Sequence, residues 1–252
     1  MPSKDNRKNP LKKNNSSNDI LNRIKLCNDF IKKNKNVIKI QYTEEKTGSN
    51  FLFDNQTPLK DKKITSEACI HHLWFNDQDY ATKGNYIKWN PAVKTPKDQE
   101  QILKAVLDNH IDVIATDHAP HTLEEKSKEY SSAPAGGPLV QHAFNALFQM
   151  YHQGKISLEK IAEKTSHSLA ICFKIKDRGF IREGYYADLT LVDLNSSYTV
   201  TKENILYKCG WSPFEGQTFN SQITHTFVSG HLAYENGVFN ESKLGERLTF
   251  NR

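Results

Sequence analysis

The sequence predicts an α/β fold, in which helices alternate with parallel strands, followed by a small antiparallel β module. Residues 97–109 repeat apolar side chains at helical spacing. They lie between two segments of strand character, residues 64–71 and the continuous apolar run at residues 111–116, which gives a strand, helix, strand unit. Beyond Gly179 the chain changes to short alternating or apolar segments separated by Gly and Asn turn signals, which are typical of antiparallel strands.

The first 18 residues are predicted to be a disordered basic leader. They are rich in Lys, Asn and Ser, which bury too little apolar surface to offset the entropy of ordering. Residues 1–50 have a formal net charge of +7, against −2 for residues 51–252. A basic arm of this kind can bind nucleic acid through phosphates, but a solvated tail is favoured because no aromatic residue interrupts it for base stacking.

The other elements follow in chain order. A short helix is predicted from Asp19, a candidate N-cap, because the apolar residues after it fit one helical face. A strand is predicted at residues 37–42. Further helices are predicted at residues 138–152 and 157–165, the first of them with Pro138 at its first position.

Composition argues against several classes of protein. No run approaches the roughly 18 apolar residues of a membrane helix, and the N-terminus has Lys and Asn where a signal peptide has its apolar stretch. The four cysteines form no CxxC pair, so we expect reduced thiols rather than a zinc knuckle or a disulfide framework. The chain is therefore expected to be cytoplasmic, without a membrane partner.

The densest group of polar side chains is the segment TDHAPH at residues 116–121, where the predicted strand ends. Reactive groups collect at the carboxyl ends of parallel strands, because the loops there vary without disturbing the sheet. Asp117 can bind a divalent metal and move a proton, while His118 and His121 can hold a substrate anion. The alternative is that the aspartate caps a turn and the histidines bond locally.

Three further segments give weaker signals. His71 and His72 end another predicted strand, where adjacent side chains face opposite ways, so at most one is expected to point into a site. Asn90 lies in an extended turn, suited to bonding a substrate carbonyl or urea-type group. The loop at residues 133–137 (APAGG) is expected to leave backbone N–H groups exposed before a helix, suited to a carboxylate.

Six segments between Phe53 and Arg252 form a recognisable set: FDNQTPLKDKKITSEACIHHLWF, NYIKWNPAVKTPKDQ, IDVIATDHAPHTLEEK, APAGGPLVQHA, RGFIREGYYADLTLVD and KCGWSPFEG. Together they resemble the C-terminal half of a dihydroorotase, in the amidohydrolase superfamily. The most specific mark is DHAPHTLEEK followed by PAGG. An allantoinase or hydantoinase is the nearest rival, and KKITSEACIHHLWF and KCGWSPFEG favour the dihydroorotase.

The resemblance implies a role for each candidate residue. Asp117 is similar to the aspartate on the eighth barrel strand that touches the metal and acts as the acid/base. Asn90 and His121 match substrate-binding positions, and Ala135 and Gly136 match the loop whose backbone meets the substrate carboxylate. The implied reaction is the zinc-dependent, reversible closure of N-carbamoyl-L-aspartate to L-dihydroorotate in pyrimidine biosynthesis.

The metal ligands depart from the family pattern. The family uses an HxH pair, a carboxylated lysine or aspartate, and single histidines on strands five and six, whereas the first of the ten histidines here is His71. An ungapped extension of the resemblance places Thr43 where the strand-six histidine is expected. The His71–His72 pair and His118 do not match family ligands. Since zinc takes about four ligands, the isolated chain is predicted to be inactive.

The same resemblance implies an incomplete architecture. A (β/α)₈ TIM barrel takes about 250 residues by itself. We therefore expect a partial amidohydrolase-type barrel at residues 19–178 and the β module at residues 179–252. An incomplete barrel leaves strand edges unpaired unless a complementing chain or a second copy covers them.

Two classes of function are compatible with these observations. In the first, the chain is part of a dihydroorotase whose site a second polypeptide completes. In the second, it is a non-catalytic homologue that acts as a binding or structural partner of another enzyme. A nucleic-acid role for the basic leader is the weakest idea, and it predicts salt-dependent DNA binding that is lost without residues 1–18.

Overall fold

The computed structural model describes residues 42–44, 49–51 and 55–251. The predicted leader, the predicted helix from Asp19 and most of the strand predicted at residues 37–42 lie outside this part of the chain. Strands β1 (Tyr42–Glu44) and β2 (Ser49–Phe51) form an antiparallel pair.

The two strands that flank the predicted strand, helix, strand unit are neighbours. Strands β3 (Glu67–Cys69) and β4 (Val113–Ala115) pair in parallel, with Cys69 opposite Ala115. The helices between them are α1 (Ile70–Trp74), α2 (Tyr80–Lys83) and α3 (Pro96–Leu107). Helix α3 begins at Pro96 because Thr95 and Asp98 form a reciprocal capping box. Strand β3 is shorter than the strand predicted at residues 64–71, because the chain enters α1 immediately after Cys69.

The second group of helices follows β4. It consists of α4 (Leu123–Lys126), α5 (Ala143–His152), α6 (Leu158–Ala162), a π-helical turn (Glu163–His167) and α7 (Ser168–Cys172). The prediction that a helix opens at Pro138 is wrong. The Leu139 N–H instead donates to Nδ1 of His118 at 3.0 Å, and the His142 N–H donates to the Leu139 carbonyl at 3.2 Å, so the chain turns before α5 begins.

The segments predicted as short strands beyond Gly179 lie mostly in one antiparallel sheet. Its strands are β5 (Leu189–Asp193), β8 (Gln222–Val228), β9 (His231–Glu235) and β10 (Val238–Phe239), in the order β10-β9-β8-β5. Strands β6 (Tyr198–Thr199) and β7 (Thr218–Phe219) form a separate antiparallel pair. An ion pair between Arg178 and Asp188 lies beside the sheet, and the Ser229 N–H donates to the same carboxylate at 2.7 Å.

The core joins the helical part of the chain to β7 and the segment before it. Ile70, Ile87 and Leu147 are buried in one apolar cluster with Phe214 and Phe219. The aromatic rings of Phe75 and Phe214 lie 5.2 Å apart between centroids. The loops that carry the candidate site residues therefore rest on a packed base.

The membrane helices and the cysteines considered from composition can be compared with the described residues. None of the helices described here is long and apolar enough to cross a membrane. Cys69, Cys172 and Cys209 are free cysteines, and Cys27 lies outside the described residues.

Candidate active site at the ends of two parallel strands

Asp117 lies just beyond the end of β4 and is exposed. Its backbone has a φ of 46°, in the left-handed region that aspartate tolerates better than most residues. This conformation ends the strand sharply and leaves the carboxylate at the carboxyl end of the parallel pair. That position is the one expected of a reactive group in this kind of sheet.

His118 has a local structural role. Its Nδ1 accepts the Leu139 N–H at 3.0 Å, and burial lowers the pKa of the imidazole. A ring nitrogen that accepts a backbone N–H carries no proton, so His118 is not suited to hold a substrate anion as a cation. The alternative of local bonding is therefore the correct one for this histidine.

His121 joins the strand end to the loop at residues 133–137. Its Nε2–H donates to the Ala135 carbonyl at 3.1 Å. Its Nδ1 lies 3.7 Å from Oε2 of Glu125, whose carboxylate also caps α4 by accepting the Thr122 N–H at 2.8 Å. The imidazole is thus held between α4 and the loop.

The loop at residues 133–137 packs tightly against the strand end. Gly136 has a φ of 128°, and a Cβ there would lie 2.6 Å from the Ala119 carbonyl oxygen, so only glycine fits. The expectation of exposed N–H groups before a helix is wrong in two respects. Gly136 is buried and its N–H donates to the Lys88 carbonyl at 2.9 Å, and the next helix begins only at Ala143.

A buried lysine that the sequence analysis did not single out holds this loop. Lys126 is 1% exposed, and its Nζ donates to the carbonyls of Gly136 at 2.8 Å and Pro134 at 3.0 Å. Burial, and then the nearby charge of Lys88, lowers its pKa to about 8. Lysines are seldom buried without partners, so the burial of Lys126 was not expected. Its place in the segment HTLEEK was the one sequence signal that pointed to it.

The turn at Asn90 lies against the end of β3. Trp89 is buried and stacks on His71, with ring centroids 4.3 Å apart. The His72 Nε2–H donates to the Pro91 carbonyl at 2.9 Å. Asn90 itself is exposed between these two anchored residues, which leaves its amide accessible beside the strand ends.

Trp211 is the second residue that sequence reasoning missed. Its indole N–H donates to the His121 carbonyl at 2.7 Å, and its ring lies close to Gly137. It belongs to the segment KCGWSPFEG, which drew attention to the family but suggested no role. Trp211 therefore holds the backbone of His121 in place through this hydrogen bond.

Residues 31–233 match the amidohydrolase family. The chain belongs to this family. Among curated amidohydrolases it is 34% identical to the dihydroorotase of Endomicrobium trichonymphae, over 71% of this chain and 43% of the relative. It is 35% identical to the dihydroorotase of Bacillus subtilis, over 69% of this chain and 41% of the relative. The chain thus spans less than half the length of these relatives, and the predicted resemblance to dihydroorotases is confirmed.

Solved amidohydrolase structures share the fold. An L-hydantoinase from Arthrobacter aurescens superposes with a TM-score of 0.66 at 23% identity, covering 71% of this chain and 41% of that one. An inactive dihydroorotase-like domain of a CAD-like multifunctional protein from Chaetomium thermophilum gives a TM-score of 0.53 at 19% identity, covering 72% and 47%. The chain therefore has a TIM-barrel-type α/β fold.

The metal site that the family resemblance implies does not fit this amidohydrolase chain. Asp117 occupies the expected strand end, but the first histidine in the sequence is His71. Within residues 55–251, the side chains grouped closely enough to hold a metal ion are Cys69, His71 and His72, and Asp117 is not among them.

The expectation that His71 and His72 end a strand is wrong. Both lie in α1, with ring centroids 4.1 Å apart, so strand alternation does not separate them. Burial lowers the pKa of His71 to about 3, which keeps its imidazole neutral. Burial, and then the charges of Glu67 and Asp117, raises the pKa of the Cys69 thiol to about 12.

Proposed function

We propose that this chain forms the substrate-binding side of a dihydroorotase-type site, for L-dihydroorotate and N-carbamoyl-L-aspartate. The observation that carries the proposal is the hydrogen bond from His121 to the Ala135 carbonyl, which joins the strand end bearing Asp117 to the loop at residues 133–137. Identities of 34% and 35% to dihydroorotases support this substrate class over the hydantoins.

The loop is suited to a carboxylate, which both substrates carry. A trans peptide points its carbonyl and its N–H in opposite directions. Because the Pro134 carbonyl accepts from the buried Nζ of Lys126, the N–H of Ala135 points away from Lys126. The Gly136 N–H is already bonded to Lys88, so in this proposal Ala135 supplies the N–H and Gly136 supplies the close fit of the backbone.

The remaining roles in this proposal come from the resemblance to dihydroorotases. Asp117 is the acid/base that moves a proton to or from the reacting amide nitrogen. Asn90 and His121 bind the substrate, Asn90 through its exposed amide to a carbonyl or urea-type group. A general acid/base must lie within hydrogen-bond reach of the proton that it transfers, and the exposed Asp117 carboxylate is free to do so.

In this proposal the chain alone does not turn over substrate. The partial barrel predicted for residues 19–178 and the β module predicted for residues 179–252 are part of this proposal, in which a second polypeptide supplies the histidine ligands for zinc. A cytoplasmic location and a place in pyrimidine biosynthesis belong to the same proposal. A non-catalytic partner of another enzyme is the alternative that the experiment separates.

The test measures dihydroorotate hydrolysis by the purified full-length chain, alone and mixed with a polypeptide that carries the HxH strand and the other ligand-bearing strands of a dihydroorotase. We expect no turnover above the blank for the chain alone and turnover in the mixture. Asp117→Asn should lower the rate of the mixture by about a hundredfold or more, because acid/base catalysis contributes that much. The matched control, Glu124→Gln, changes an exposed carboxylate on α4 and should leave the rate unchanged.

Two results would contradict the proposal. Metal-dependent hydrolysis by the chain alone would show that it needs no second polypeptide. An absence both of turnover in the mixture and of calorimetric dihydroorotate binding by the chain would exclude the substrate-binding role and favour the non-catalytic alternative.

A further inference from the structure

Three metal-ligating side chains meet where β3 ends. Cys69 is the last residue of the strand, and His71 and His72 lie in the first turn of α1. One ligand atom from each of the three residues lies within 4.8 Å of the others. The early end of the strand produces this grouping, because a continued strand would separate adjacent histidines onto opposite faces.

Each histidine ring has a nitrogen without a hydrogen-bond partner among the described residues. His72 donates from Nε2 to the Pro91 carbonyl at 2.9 Å, so its Nδ1 has the lone pair. His71 is 1% exposed, and its Nδ1 is buried without a hydrogen-bond partner in the part of the chain that the structure describes. Metal-ligating histidines usually donate their second ring N–H to a carbonyl or carboxylate, as His72 does.

A buried imidazole nitrogen without a partner is costly, since it has lost water and gained nothing. The stacking of His71 on Trp89 holds the plane of the imidazole ring in the buried site. A cation bound at Nδ1 would satisfy the lone pair. This orphaned atom is an observation independent of the proximity of the three residues.

We propose that Cys69, His71 and His72 bind one zinc ion, with its fourth position open to water. Zinc bonds to thiolate sulfur at about 2.3 Å and to imidazole nitrogen at about 2.0 Å, which places tetrahedral ligand atoms roughly 3.4–3.6 Å apart. Atoms within 4.8 Å of one another reach this spacing by small side-chain rotations. A mixed thiolate and imidazole set suits zinc rather than magnesium or calcium, which take oxygen ligands.

The site differs from the metal site implied by the family, because it uses neither an HxH pair nor Asp117 as a ligand. Asp117 follows β4 at the same edge of the sheet, since Cys69 and Ala115 are opposite each other in the parallel pair. The ion therefore lies beside the candidate acid/base. Zinc binding is measured without substrate, so the test of this site does not depend on the proposed dihydroorotase function.

The test loads the purified full-length chain with Zn²⁺, removes free metal by gel filtration and measures zinc per chain. We expect one equivalent. Cys69→Ser and His72→Gln should each weaken zinc binding by more than about tenfold. Mutating a residue that only hydrogen-bonds to a metal ligand already lowers metal affinity by about that factor. Cys172→Ser, which changes another partly buried free thiol, is the matched control and should retain one equivalent.

Cobalt substitution gives a second measurement. The Co²⁺-loaded chain should show the near-ultraviolet thiolate-to-cobalt absorption, and the Cys69→Ser chain should lack it while Cys172→Ser keeps it. A wild-type chain without zinc would overturn the proposal. Retention of one zinc by both Cys69→Ser and His72→Gln would also overturn it, whether or not Asp117→Asn loses the metal.

Discussion

The two sides of the candidate active site are built differently. On the loop side, the peptide at residues 133–137 is held by the buried Lys126, by His121 and by the Lys88 carbonyl. On the strand side, Asp117 is exposed at the end of a parallel pair whose strands have three residues each. The geometry of the loop side is thus fixed by contacts within the chain. The function of the strand side depends on a metal or a second polypeptide beside Asp117.

This difference separates binding from chemistry. Buried polar groups that are fully bonded hold one geometry, because any other arrangement leaves them unsatisfied. The loop should therefore keep its shape whether or not the barrel is completed. An exposed carboxylate has no such constraint, so its function depends on a metal or a second polypeptide beside it.

The largest expected effect comes from Lys126→Met, which removes the ammonium and keeps the apolar stem. The carbonyls of Gly136 and Pro134 would lose their buried donor. An unsatisfied buried acceptor costs about 1–3 kcal/mol, so we expect the free energy of unfolding to fall by about 3 kcal/mol. Urea denaturation followed by circular dichroism measures it.

The control for this prediction is Lys128→Met, which changes an exposed lysine just after α4. Its effect should stay within about 0.5 kcal/mol, as for other exposed positions. An equal urea midpoint for Lys126→Met and the wild type would show that the loop does not depend on the buried ammonium, and the contrast between the two sides would disappear.

The second prediction concerns pH and the buried His142, which bonds to Oγ of Ser212 at 3.0 Å. Burial lowers its pKa from 6.5 to about 4. Below pH 6.5 the unfolded chain takes up a proton that the folded chain refuses, so stability falls as the pH falls from 6.5 toward 4. Between about pH 7 and pH 5 this histidine should account for about 2 kcal/mol of lost stability.

The measurement is urea unfolding at a series of pH values for the wild type and His142→Gln. The variant should lose about 2 kcal/mol less than the wild type between the two pH values, whatever its stability at pH 7. Parallel pH curves for the wild type and His142→Gln would contradict the prediction, because they would mean that the folded chain does not shield His142 from water.

The sequence predicted best those elements that are specified locally. Helix α3 begins and ends near the predicted limits because its apolar spacing and its Thr95–Asp98 capping box lie within the segment itself. The start of α5 was mispredicted because it depends on the bond between His118 and Leu139, which are far apart in the chain. Contacts of this kind leave no local pattern.

The same distinction applies to the site. The position of Asp117 followed from a buried strand and the residues after it, which is a local pattern. Lys126 could not be identified, because its burial requires carbonyls from residues 134 and 136 to converge on it. The His71–His72 pair was placed on a strand because nothing in the sequence marks where β3 ends, and the grouping with Cys69 was missed for that reason.

The smallest expected effect is that of Trp211→Phe, which keeps a large ring and removes the donor to the His121 carbonyl. A single internal hydrogen bond contributes about 1 kcal/mol net, so the free energy of unfolding should fall by about that much beyond the cost of the smaller ring. Trp74→Phe serves as the reference for that cost, since Trp74 packs edge-on against Phe214 in the apolar cluster. If both variants unfold at the same urea concentration, the bond from Trp211 to His121 adds nothing, and the other contacts of the loop side are sufficient to hold it.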